Sequence, residues 1–95
     1  MKYLKVSADT EVGGLAGAIA GCLRHGEEAQ VVSVGAGALN QSVKAIAIAK
    51  EFLQKDGKDI AMEPGFSLVT ISGTEKTAII LHVFEILAEE ERLAG

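Results

Sequence analysis

The stretch Val34-Gly35-Ala36-Gly37-Ala38-Leu39-Asn40-Gln41 has the most chemical character in this 95-residue chain. It joins a β-branched run to the start of a helical pattern. The first N–H groups of a helix have no intrahelical acceptor and point outward at the positive end of the dipole. Such a turn suits a phosphate or carboxylate held by the backbone of Gly35, Ala36 and Gly37. Asn40, Gln41 and Lys44 add side-chain donors beside it, and Lys76 supplies a further cation near the chain's end. The spacing G-x-G-x-x-N is not a dinucleotide fingerprint, and no Gly-Lys-Ser/Thr follows to make a P-loop. A plain tight connection between strand and helix fits the same residues.

Catalytic groups are sparse. His25 stands where a helix ends, a place where imidazole commonly satisfies terminal carbonyls, and His82 lies in a strand between Ile80 and Phe84. Neither has a Cys, Ser or carboxylate partner at motif spacing. Asp56 and Asp59 flank Gly57-Lys58 and read as solvated turn residues rather than an acid and base pair. The single Cys22 cannot form an internal disulfide and sits in an apolar helical run, the setting of an inert buried thiol. We therefore expect no enzyme, no metal site and no cofactor.

The elements that position these residues follow from periodicity. Leu4 and Val6 alternate with Tyr3, Lys5 and Ser7 as in a short strand. Asp9 and Thr10 offer caps for a helix over about residues 10–25, in which Val12, Leu15, Ala16, Ile19, Ala20 and Leu23 recur at three- and four-residue spacing. Ala29 to Val34 reads as a buried strand and Ala38 to Gln54 as a second helix. Ile60 to Glu63 and Phe66 to Ile71 read as one strand bent or bulged at Pro64-Gly65. Ser72-Gly73-Thr74 then turns the chain into a last strand, Lys76 to Ile86. The order β-α-β-α-β-β makes an α/β two-layer sandwich with a long C-terminal hairpin, one domain over residues 1–86, and an acidic C-terminal tail over residues 87–95.

Composition narrows the function classes. At 48% hydrophobic and 23% charged residues the chain is globular, and with 4% aromatics and no Trp its core must be built from small aliphatic side chains. The net charge is −4, but four acids, Glu85, Glu89, Glu90 and Glu91, crowd the C-terminus, so the body is nearly neutral. No strong basic footprint for nucleic acid is present. The longest weakly polar run is about half the ~20 residues a membrane span needs, and no signal-peptide pattern follows Met1, so we expect a cytoplasmic protein with no membrane partner.

Two features ask for a partner surface. Gly13, Gly17 and Gly21 fall four apart on one face of the first helix, and each interior Gly costs roughly 1 kcal/mol relative to Ala. Close packing inside the chain or a self-association face explains that cost. On the second helix, an apolar arc that takes in Ile48 and Phe52 is wider than one sheet usually demands, which points to a face for a partner subunit, although a fully covered helix in a small sandwich fits the same residues.

Taken in order, Leu4-Lys5-Val6-Ser7-Ala8, Leu15-Ala16-Gly17-Ala18-Ile19-Ala20-Gly21, the run Gly35-Ala36-Gly37-Ala38-Leu39-Asn40-Gln41-Ser42-Val43-Lys44-Ala45-Ile46-Ala47-Ile48-Ala49, and Glu75-Lys76-Thr77-Ala78 resemble the stage V sporulation protein S family. The resemblance covers about residues 3–84. It implies a small bacterial cytoplasmic regulator of sporulation and related development, an Alba-like fold, dimers or tetramers, and nucleic-acid binding. Alba-like binders carry basic side chains before helix one, before helix two and on the final hairpin. The matching stretches here are Asp9-Thr10-Glu11, Gly35-Ala36-Gly37 and Ser72-Gly73-Thr74-Glu75-Lys76, so any binding of DNA or RNA should be weak. An oligomeric protein-interaction module without nucleic-acid binding is the alternative.

Overall fold

Alternation of apolar and polar residues sets the strands, and the three- to four-residue recurrence of Ala, Leu and Ile sets the helices. In the computed structural model, which describes residues 1–87, the order is β1 (Lys2–Val6), α1 (Val12–Arg24), β2 (Ala29–Ser33), α2 (Ala36–Gln54), β3 (Asp59–Ile71) and β4 (Thr74–Ile86). The four strands form one mixed sheet in the order β1-β2-β4-β3, with β1 parallel to β2 and the other neighbours antiparallel. This is the expected β-α-β-α-β-β arrangement with a C-terminal hairpin. The acidic run Glu89 to Glu91 lies outside the described residues.

One face of the sheet carries the core. Ala29 and Val31 of β2 and Leu81 and Val83 of β4 are buried there under both helices, and Ile60 of β3 joins them. The helices meet this face and each other through alanines, with Ala16, Ala20, Ala45 and Ala49 fully buried. Small side chains at these positions let the helices lie close together, and Ile19 and Leu53 fill the remaining space, each stabilising by about 2–3 kcal/mol when fully buried. Two serines are sealed inside this apolar layer. Ser42 Oγ donates to the Ala38 carbonyl at 2.9 Å, which spends its one proton, so Ser33 Oγ donates to Ser42 Oγ at 2.6 Å.

The helix starts differ from expectation. Thr10 does not cap α1; its Oγ1 accepts from Ser7 N–H at 2.8 Å and closes the turn before the helix. Glu11 caps instead, its carboxylate accepting from the N–H groups of Gly13 at 3.1 Å and Gly14 at 2.5 Å. A Cβ at either glycine would stand 2.8 Å from a carboxylate oxygen, so these two glycines make room for the cap. Helix α2 begins at Ala36, two residues earlier than the periodicity indicates, because Gly35 at φ 92° reverses the chain in a single residue. At the other ends, His25 Nδ1 donates to the Gly21 carbonyl at 2.7 Å, as its place at a helix end implies.

The expected bulge at Pro64-Gly65 is absent. Pairing of β3 with β4 keeps one register from Asp59↔Ile86 to Ile71↔Thr74, with Pro64 opposite Leu81 and Gly65 opposite Ile80. An edge strand tolerates proline where its nitrogen faces away from the neighbouring strand. The turn residues Ser72 and Gly73 both have positive φ, 49° and 77°, the pattern of the two-residue hairpin turn that matches strand twist. Strand β2 pairs only with residues 79–83 of β4, so the distal half of the hairpin projects beyond the sheet as a two-stranded arm. Thirteen residues at about 3.3 Å each span roughly 43 Å, so the whole hairpin, arm included, accounts for most of the molecule's 47 Å long axis.

Candidate nucleic-acid and anion interface

The parallel strands β1 and β2 end on the same side of the molecule as the hairpin arm. On the sheet face opposite the helices, a groove of about 620 Å³ opens between them. Lys5 and Ser7 reach it from β1 and the residues that follow, Val32 and Val34 from β2 and its end, and Val69, Ile71 and Lys76 from the arm. No acidic residue lines it. Among the described residues neither Lys5 nor Lys76 makes an ion pair. Glu75, next to Lys76, points to the opposite face because successive side chains alternate across a strand.

The glycine turn borders this groove. Val34 lines it and Gly35 follows directly; Gly35, Ala36 and Gly37 are exposed, and no side chain caps the α2 start. Gly37 lies under the loop after β1, where a Cβ would come within 2.9 Å of the Ala8 Cβ. Gln41 Nε2 donates to the Thr10 carbonyl at 3.0 Å and pins the same loop from the other side. Thus Gly35, Ala36 and Gly37 follow a residue, Val34, that shares the groove with Lys76, while Gln41 spends a donor on the fold. Asn40 and Lys44 are exposed on α2. Lys44 does not sit beside the helix-start donors, since eight residues of helix carry it about 12 Å along the axis from Ala36. Lys5, which belongs to none of the motifs, lines the groove with Lys76; its signal was its position on the polar face of a short strand.

The interface residues expected on the helices separate. Gly17 is exposed and Gly21 half-buried, and a Cβ at either meets nothing within 4 Å, so close packing inside the chain is not what these glycines serve. Ile48 packs against the core, while Phe52 is partly exposed. Near the β3 end of the sheet, Met62, Phe66 and Leu68 project on the helix side of the edge strand, Phe66 at 82% exposure and Leu68 at 64%.

Other polar groups are engaged in the fold. Arg24 Nε donates to Asp56 at 2.7 Å, tying the ends of the two helices, and Lys50 pairs with Asp59 and donates to the Ile60 carbonyl at 3.1 Å. Asp56 and Asp59 are thus partners of cations rather than free turn carboxylates. His82 Nε2 lies 2.7 Å from Glu28 Oε1, a partner 54 residues away in sequence that local spacing does not reveal. Among the described residues no three His, Cys, Asp or Glu side chains converge as a metal site.

The model of the stage V sporulation protein S family matches residues 2–86. The chain belongs to that family. The match runs from the first strand through the hairpin, so the groove, the glycine turn and the arm all lie within the stage V sporulation protein S unit. Membership makes this a sporulation-related protein. No helix among the described residues is long and apolar enough to cross a membrane.

Proposed function

We propose that this protein is a cytoplasmic regulator in sporulation that binds DNA or RNA weakly through phosphates, at the end of the sheet where the groove meets the glycine turn. The observation that carries this reading is the pair of unpaired lysines, Lys5 and Lys76, facing one acid-free groove beside the uncapped start of α2. Backbone N–H groups of Gly35 to Gly37 supply neutral donors, and the exposed Asn40 and Lys44 extend the surface along the helix. The groove has no aromatic side chain on which a base could stack, so contacts go to the backbone and tolerate any sequence.

Roughly two to four phosphate contacts per subunit give a shallow dependence on salt, about 0.9 log units in K per contact per log unit of salt for duplexes. Fluorescence anisotropy with labelled duplex and single-stranded oligonucleotides from low to physiological salt tests the proposal. Lys76→Gln and Lys5→Gln should each weaken binding and reduce the slope by about one contact. Lys58→Gln should change little, because Lys58 already reaches Glu85 at 3.4 Å. Asp9→Lys should strengthen binding. Absence of binding at low salt that Asp9→Lys does not create would sink the reading.

The exposed strip of Met62, Phe66 and Leu68 favours a second reading, an oligomeric protein-interaction module in which a homodimer or homotetramer forms and the glycine turn is only a connection. The two readings separate on the same oligonucleotide titration.

A further inference from the structure

The groove between the β1 end and the hairpin arm has two chemistries, and phosphate binding uses only one of them. Its floor is Val32, Val34, Val69 and Ile71, an aliphatic surface without an aromatic ring, and its cations are Lys5 and Lys76. At about 620 Å³ it falls within the size range of small-molecule sites, which are mostly apolar with a few polar groups that fix orientation. Phosphate alone would leave the four branched side chains against water. A planar base would find nothing to stack on.

We propose that this groove binds a small amphiphilic anion, an aliphatic chain ending in a carboxylate. The chain lies on the valine and isoleucine floor, where burial of each methylene is favourable, and the carboxylate meets the ammonium groups of Lys5 and Lys76. Lysine suits this role because its own methylene stem can lie along the apolar floor while the charged end stays at the rim. Ser7, which also lines the groove, places a hydroxyl-bearing side chain beside the same space. The proposal does not depend on nucleic-acid binding, although an occupied groove would withhold the same two lysines from phosphate.

Methyl and lysine resonances of the full chain, followed during titration with octanoate, octanol and acetate, test it. Octanoate should shift the Val32, Val34, Val69 and Ile71 methyls saturably and move the Lys5 and Lys76 side-chain signals. Octanol should bind about five- to tenfold more weakly, and acetate should leave the methyls unmoved. The double variant Lys5→Gln/Lys76→Gln, changed only at exposed positions, should keep its folded spectrum and bind octanoate no better than octanol. Equal affinity of the native chain for octanoate and octanol overturns the proposal, as do shifts confined to Met62, Phe66 and Leu68. It is also overturned if the groove methyls respond to protein concentration alone and octanoate adds nothing, since a second copy would then fill the space.

Discussion

Single hydroxyl groups show how closely this core is specified. Ser33 has its hydroxyl proton directed at Ser42, and Ser42 directs its own at the Ala38 carbonyl. Replacing Ser42 by Ala leaves a buried donor with no acceptor, a cost of about 1–3 kcal/mol, whereas Ser33→Ala leaves the Ser42 bond to Ala38 intact. Urea denaturation should rank Ser42→Ala as the more destabilising change, and the double alanine variant should recover part of the loss. At the same scale, the glycine turn and Lys76 could be chosen from residue type and spacing, because a strand-to-helix glycine turn has one physical consequence, free N–H groups. Lys5 and the Glu28–His82 pair could not. Their meaning comes from strand order, which sets residue 5 and residue 76 around one groove and brings residue 28 to residue 82.

Elements were more legible than sites. Period-2 alternation placed β1, the three- to four-residue recurrence placed both helices, and Ser72-Gly73 placed the hairpin turn, because each pattern is set by local geometry. Element ends were less so. Glu11 could outcompete Thr10 as a cap only because Gly13 and Gly14 leave space for its carboxylate, an arrangement that single-residue capping preferences do not anticipate. The junction of β1 with α2 yields a test. Gly37→Ala places a methyl against Ala8, whose loop is pinned by Gln41, so relief by movement is limited. Crowding of about 1–3 kcal/mol outweighs a gain in helix propensity of at most about 1 kcal/mol. Thermal or urea unfolding should report a net loss near 1 kcal/mol, and adding Ala8→Gly should remove most of it.

At the scale of the molecule, two layers and a projecting arm leave apolar area that the chain does not cover. Phe66 and Leu68 stand exposed on the helix side of the arm, and Phe52 is partly exposed on α2. If this strip is the self-association surface, Phe66→Glu should shift the mass measured by light scattering toward the monomer at micromolar protein, and by more than Glu51→Ala at an exposed position of α2. Loss of assembly would leave the fold intact, since Phe66 contributes little burial to it. The arm also carries the molecule's longest open strand edge. Strand β3 offers one side of thirteen residues to solvent, the kind of border on which a foreign chain, or an unfolding copy of the same one, can lay down a new strand. Pro64 stands near its midpoint and has no N–H to give. The border is thereby interrupted, so a foreign strand cannot pair along its full length, and the exposed apolar strip of the arm is less able to seed precipitation. Pro64→Thr would restore the missing donor, and agitation assays with an amyloid dye should then show earlier fibril formation at unchanged folded stability.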